Sequence, residues 1–219
     1  MRRTRLRFDG AIAGIGTRSG VRVVVGDWPR SPFGPVADVM IERPGGQRLL
    51  VAATPELARF VAGTYAFDDV HVAPVTVTAA GDDWTTVAAG PLDLRFRTGR
   101  RGPLGLLLRA VPAPLARQPA WCAAIDLPAR LLLPGVRTRG SAGGGRREWY
   151  GAQDVHPIAE ISARLDGHDL GSLAPVSPPV RFGFGSTPRD PALIRVTTTV
   201  EVPDRHHSGG RPPSISTDQ

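Results

Sequence analysis

Residues 194–201 read Ile-Arg-Val-Thr-Thr-Thr-Val-Glu, and residues 92–97 read Leu-Asp-Leu-Arg-Phe-Arg. In both stretches every second side chain is suited to burial and its neighbours are polar. Because successive side chains of a β-strand point to opposite faces, each stretch predicts a strand with one buried face. Residues 21–25, 70–78 and 84–87 are rich in β-branched side chains and predict three further strands.

Glycine-containing turns connect several of these strands into hairpins, which predicts an antiparallel meander. The turns are Pro44-Gly45-Gly46 between residues 36–43 and 47–52, Gly81-Asp82-Asp83 between 70–78 and 84–89, and Asp166-Gly167 between 158–165 and 168–173.

Helices are predicted in two places. Thr54 fits the N-cap of a helix that begins with Pro55 and has Glu56 near its positive end. Residues 104–133 predict further helices that prolines break into pieces. We expect these pieces to pack on a sheet, while an interfacial helix with leucines 131–133 in lipid is the alternative.

These patterns predict an α+β, β-dominated fold, a curled antiparallel sheet or barrel with a few short helices. Residues 1–202 should form a single β-rich domain. Residues 203–219 are polar and rich in Gly and Pro, and are expected to be a disordered tail.

The composition excludes several kinds of chemistry. All 27 basic residues are Arg, against 20 acidic residues, and the net charge is +7. Without Lys the chain has no Schiff-base or pyridoxal-phosphate lysine and no Walker A loop. The single Cys122 allows neither an internal disulfide nor a zinc site of several thiolates. With no continuous apolar segment of bilayer length, we expect a cytoplasmic protein without a transmembrane segment.

Histidines and carboxylates on one predicted strand raise the question of a metal. Asp154, His156 and Glu160 would share a face, and His71 or His168 could complete a two-histidine site. Isolated strand histidines are more often solvated or hydrogen-bonded, so we predict no metal and no cofactor.

Two clusters are candidates for ligand binding. Residues 146–150, Arg-Arg-Glu-Trp-Tyr, combine guanidinium groups that bind anions with flat aromatic surfaces. We expect Arg146, Arg147, Trp149 and Tyr150 to contact a ligand at the mouth of the barrel. The alternative is a surface strand with an Arg–Glu pair and two half-buried aromatic side chains.

The second cluster runs from Asp27 into the next predicted strand. Asp38, Met40 and Glu42 share one face of that strand. Two carboxylates on an inward face require arginine partners or a wet pocket, whereas on an outward face they are ordinary solvated charges. We place Asp38 and Glu42 in the candidate pocket.

One stretch resembles a known family. Residues 31–39, Ser-Pro-Phe-Gly-Pro-Val-Ala-Asp-Val, precede a hairpin and residues 54–58, Thr-Pro-Glu-Leu-Ala. This part of the chain resembles the acetoacetate decarboxylase-like barrel family, in which a Gly-Pro step precedes a strand with an acidic pocket residue. The resemblance implies that Asp38 occupies the acidic position. The family's catalytic lysine has no counterpart here. Residues 137–156 resemble bacterial proteins without an assigned activity.

The leading hypothesis is that a barrel-like pocket binds a small, anionic organic molecule. One alternative is a lyase or isomerase that needs no lysine and uses His156 or Asp38 as general base. Another is electrostatic binding to nucleic acid or an anionic membrane through Arg-rich strands. Nucleic acid is the less favoured partner, because the arginines are spread from Arg2 to Arg211. The sequence leaves open the oligomeric state and whether the protein is an enzyme.

Overall fold

The computed structural model describes residues 3–133, 135–185 and 187–203. Strands dominate this part of the chain, with four α-helices and one 3₁₀ turn (Gly143–Gly145). The strands are β1 (Arg3–Thr17), β2 (Arg22–Arg30), β3 (Val36–Glu42), β4 (Arg48–Ala52), β5 (Asp69–Val72), β6 (Val75–Ala79), β7 (Trp84–Ala89), β8 (Leu92–Thr98), β9 (Arg139–Ala142), β10 (Arg146–Leu165), β11 (His168–Asp169), β12 (Leu173–Ala174) and β13 (Ala192–Pro203). The helices are α1 (Pro55–Ala62), α2 (Pro103–Ala110), α3 (Ala113–Ala116) and α4 (Pro119–Leu132).

The strands form one curled sheet in the order β5-β4-β3-β2-β1-β13-β10-β8-β7-β6. The predicted α+β, β-dominated fold with a curled sheet is therefore confirmed. The sheet is not closed into a barrel, because its two end strands, β5 and β6, do not pair with each other, although β6 approaches β3. The twenty-residue β10 pairs with β13 over its first part and with β8 over its second, and so joins the two halves of the sheet.

The predicted hairpin turns lie between β3 and β4, β6 and β7, and β10 and β11. The expected purely antiparallel meander is wrong at one point. The predicted strand 70–78 is two strands, and the first of them, β5, pairs parallel to β4. The physical reason is α1, which lies between β4 and β5 in the sequence. The helix carries the chain back to the end of the sheet at which β4 begins, so β5 runs in the same direction as β4.

Helix α1 begins as predicted. The Thr54 Oγ1 accepts a hydrogen bond from the Leu57 amide at 3.2 Å, and Leu57 and Val61 are buried against the sheet. The second helical region forms α2, α3 and α4, all of which contact β10. Pro128 lies inside α4 without ending it. No helix within the described ranges is both long and apolar enough to span a membrane.

The sheet has a hydrophobic core on each face. One core lies inside the curl, between β1–β4 and β8. The other lies between the opposite face and α1, and includes Phe8, Leu50 and Val200. Residues 92–96 have one buried face, as predicted. The same expectation is wrong for β13, since residues 196–201 are buried on both faces. This central strand lies between β1 and β10 and is covered on both sides.

The predicted tail lies outside the described residues, except for Pro203, which ends β13.

Candidate functional site

A cavity of about 180 Å³ lies on the α1 side of the sheet. Its floor consists of side chains from β1, β2, β3, β10 and β13. It is covered by α1 and by residues 180–185, 187 and 188. Most of the lining is apolar, including Phe8, Ile12, Met40, Leu57, Phe60, Phe182, Val196 and Val200. Because side chains alternate along a strand, Asp38 and Met40 of β3 reach this cavity together, as do Glu148, Tyr150 and Ala152 of β10.

The main polar group of the cavity is a cluster of Tyr65, Glu148 and Tyr150, which we call the carboxyl–tyrosine cluster. The Tyr65 hydroxyl lies 3.0 and 3.1 Å from the two Glu148 carboxyl oxygens and 2.7 Å from the Tyr150 hydroxyl. The Tyr150 hydroxyl donates to Glu148 Oε2 at 3.1 Å. Tyr65 follows α1, whereas Glu148 and Tyr150 are alternate residues of β10.

Burial determines the protonation of this cluster. Glu148 is only 1 % exposed, and burial raises the pKa of its carboxyl to about 7 despite the tyrosine hydrogen bonds, which lower it. Burial also raises the pKa values of Tyr65 and Tyr150 well above their ordinary value, so both hydroxyls keep their protons. Near neutral pH the cluster can therefore both donate and accept a proton.

A second carboxyl group enters the cavity from β3. Asp38 is 3 % exposed and accepts a hydrogen bond from Trp28 Nε1 at 2.9 Å. Burial raises the pKa of Asp38 to about 6, and the indole hydrogen bond opposes this rise. The hydrogen bond between Trp28 and Asp38 needs a residue without a side chain at position 26. A Cβ on Gly26 would lie only 2.6 Å from Trp28 Nε1 and 2.8 Å from Asp38 Oδ1.

Two hydroxyl groups of the lining have unused hydrogen-bonding capacity. The Oγ1 atoms of Thr187 and Thr198 are buried and have no hydrogen-bond partner among the described residues. Thr198 is the cross-strand partner of Tyr150. An unsatisfied buried polar group costs free energy, so both hydroxyls are available to hydrogen-bond a molecule in the cavity.

Two of the residues predicted from sequence, Asp38 and Tyr150, line this cavity. Glu42 shares the face of Asp38 but lies elsewhere. It is fully buried, and its carboxylate is 3.1 Å from both Arg22 Nη2 and Arg181 Nε. The carboxylate also accepts from the Arg181 backbone amide at 2.8 Å. Glu42 therefore anchors the segment that covers the cavity.

The three other residues predicted in the cluster 146–150 lie outside the cavity lining. The Arg146 guanidinium donates to Phe60 O at 2.6 Å and to Thr64 Oγ1, and lies over the Phe60 ring. Arg147 is exposed, and Trp149 contacts the Arg5 guanidinium. Strand alternation places Arg147 and Trp149 on the face of β10 opposite to Glu148 and Tyr150.

His156 is also remote from the cavity. Its Nδ1 lies 3.2 Å from Gly99 O, and its Nε2 lies 3.7 Å from Asp154 Oδ2. Asp154 in turn accepts two hydrogen bonds from Arg101, at 2.8 and 2.9 Å. His156 and Asp38 thus do not share a site. In the described part of the chain, no group of three or more His, Cys, Asp or Glu side chains is placed to hold a metal ion.

Sequence reasoning missed Tyr65. It assigned no role to Glu148, or to Trp28, which lies in the cluster that begins at Asp27. Strand alternation could have found Glu148, because it shares the parity of Tyr150 on β10. No sequence pattern pointed to Tyr65, because only the packing of α1 on the sheet brings this residue to β10.

Comparison with known proteins finds little. No family model matches the chain, and no curated protein does. Among solved structures, the crystal structure of a candidate AttH protein from Nitrosomonas europaea is similar at 12 % identity and a TM-score of 0.29. The match covers 94 % of this chain and 53 % of that protein, so this chain spans about half its length. At this level of similarity the match assigns neither a family nor an activity, and the resemblance to acetoacetate decarboxylase-like barrels stays a prediction.

Proposed function

We propose that the cavity binds a small, mainly apolar organic molecule that carries a hydroxyl or carbonyl oxygen. The observation that carries this proposal is the carboxyl–tyrosine cluster, a polar group buried in an otherwise apolar chamber. Ligand sites commonly combine an apolar lining with a few convergent polar groups that fix orientation. The volume of about 180 Å³ exceeds the roughly 150 Å³ of a protein cavity that binds benzene, so a six-membered ring fits.

The lining favours a neutral molecule over the anion expected from the net charge of the chain. Asp38 and Glu148 would both repel an anion when ionised. Arg137 is the one cationic side chain among the described lining residues, and its Nε lies 3.5 Å from Asp126 Oδ1. A hydroxyl or carbonyl oxygen can instead accept a hydrogen bond from the unpartnered Thr198 hydroxyl. It can also accept one from Tyr150 when Glu148 is protonated and donates within the cluster, which frees the Tyr150 proton.

Thermal-shift and calorimetric titration with ligands of similar size tests this proposal. Cyclohexanone, cyclohexanol and phenol should stabilise the protein, and benzoate should not. Tyr150→Phe removes one hydroxyl and should weaken binding about two- to tenfold, the value of one hydrogen bond. Trp149→Phe, on the opposite face of the same strand, is the matched control and should bind like the wild type.

Arg147→Ala separates this proposal from the site expected from sequence. If benzoate binds and Arg147→Ala abolishes its binding, the ligand site lies on the outer face of β10 and the proposal is wrong. Failure of every neutral ring compound to stabilise the wild type also contradicts it.

The raised pKa values favour a second candidate function, proton transfer by a lyase or isomerase that needs no lysine. A carboxyl with a pKa of about 7 is suited to general acid–base chemistry at neutral pH. Glu148 would remove a proton next to a ligand carbonyl, and a tyrosine hydroxyl would hydrogen-bond the enolate oxygen. Exchange of the α-protons of cyclohexanone in D₂O, followed by NMR, tests this step. Glu148→Gln should abolish the exchange and retain ketone binding, and exchange at the wild-type rate in this variant would exclude the function.

A further inference from the structure

The outer surface of the helical region is unusually apolar. Of the eight large hydrophobic side chains that are exposed in the described part of the chain, six lie on or next to α2 and α4. Four of them are more than half exposed: Leu106 at 60 %, Leu107 at 65 %, Leu127 at 61 % and Leu131 at 76 %. We call the six residues the leucine surface. They are Leu104, Leu106, Leu107, Leu115, Leu127 and Leu131.

Helix α4 has apolar side chains on its exposed side and a carboxylate on its buried side. Six described positions of α4 are exposed. Five of them, 120, 124, 127, 128 and 131, are apolar, and the sixth is Arg130. The buried side contains Cys122 and the carboxylate Asp126, which accepts hydrogen bonds from Thr138. A helix that faces water normally has the opposite arrangement. The outward face of α4 is therefore suited to an apolar environment.

The sequence of the helical region is strongly basic. Residues 99–139 contain seven arginines and one acidic residue, the buried Asp126. Arg100, Arg109 and Arg130 are exposed and have no ion-pair partner among the described residues. Arg109 is in the last turn of α2, and Arg130 is adjacent to Leu131. Exposed leucines with unpaired arginines beside them are characteristic of helices that lie in the interface of anionic membranes.

We propose that the leucine surface docks onto an anionic lipid bilayer. The leucines of α2 and α4 enter the boundary between headgroups and acyl chains, and Arg109 and Arg130 contact lipid phosphates. A second copy of this chain is a poorer occupant, because a twofold contact through the same surface would place arginines against arginines. The proposal is independent of the ligand in the cavity.

Vesicle co-sedimentation with the full chain tests this docking. The wild type should bind vesicles of phosphatidylcholine with phosphatidylglycerol, bind pure phosphatidylcholine far less, and be released by salt. Arg109→Gln with Arg130→Gln should weaken binding to the anionic vesicles by roughly 30-fold, since each arginine near the surface contributes about fivefold. Leu107→Ser with Leu127→Ser should weaken it by at least about tenfold.

Matched variants control for general charge and hydrophobicity. Arg7→Gln with Arg164→Gln removes the same charge from exposed strand positions, and Val70→Ser with Val72→Ser removes exposed apolar side chains from β5. Both controls should bind vesicles within about twofold of the wild type. Equal binding to neutral and anionic vesicles, or an equal loss in control and test variants, would overturn the proposal. A dimer in solution that the leucine variant dissociates would also overturn it, because a second copy would then cover this surface.

Discussion

Replacing Glu148 with Gln should remove a defined part of the pH dependence of stability. The ordinary pKa of a glutamate carboxyl is 4.5, and burial raises that of Glu148 to about 7. The folded protein therefore favours the protonated carboxyl more than the unfolded chain does. The stability that this group contributes is complete below pH 4.5, falls as the pH rises, and is lost above pH 7.

The displacement of this pKa corresponds to about 3 kcal/mol of unfolding free energy. Gln is neutral at every pH and similar in shape, so Glu148→Gln should lack this loss. Urea denaturation of both proteins from pH 4 to pH 8 provides the free energies. The difference between variant and wild type should shift by about 3 kcal/mol in favour of the variant as the pH increases.

Only this shift is diagnostic, because Gln can also change the tyrosine hydrogen bonds by an amount that does not depend on pH. Asp93→Asn is the control, since Asp93 is exposed on β8 and its carboxylate loses little hydration on folding. Parallel pH profiles of Glu148→Gln and the wild type would refute the buried, protonated state of Glu148 and with it the proposed acid–base role.

Three further substitutions test the packing around the cavity, all by urea denaturation. Glu42→Gln leaves the buried Arg22 without its carboxylate and should cost about 3–5 kcal/mol, and a cost below 1 kcal/mol would show that this ion pair is hydrated. Thr54→Ala removes the N-cap of α1 and should cost about 1 kcal/mol, whereas Thr54→Ser should restore most of it. Gly26→Ala places a methyl group against the Trp28 indole and should cost about 1–3 kcal/mol and change tryptophan fluorescence, and an unchanged spectrum would contradict the contact.

The fold was predictable where the alternation of apolar and polar residues in the sequence matches the alternation of buried and exposed side chains in the structure. Alternation in residues 92–97 correctly identified β8, because one face of that strand packs in the core and the other meets solvent. The same alternation did not predict the burial of β13 correctly. This central strand is covered on both faces, so its polar residues are buried as well as its apolar ones. The parallel pairing of β5 was hidden for a different reason, since only the path of α1 in space decides which strand β5 reaches.

The candidate site was predictable in part. Asp38 and Tyr150 were selected because unusual side chains cluster in the sequence, and both line the cavity. Arg147 belongs to the same cluster, but a one-residue step along a strand reverses the face, and the register was not fixed by sequence. Tyr65 contacts Glu148 across 83 positions of chain, and no local pattern can report such a contact.

The pairing of β1 with β13 determines when the cavity can form during synthesis. Leu6 lies opposite Val200, so the two strands at the centre of the sheet are separated by almost the whole described sequence. The early hairpins can assemble on the ribosome, but the floor beneath Tyr150 and Thr198 cannot form until β13 has emerged. Contacts between such distant residues slow folding, so closing this floor is expected to be the slow step.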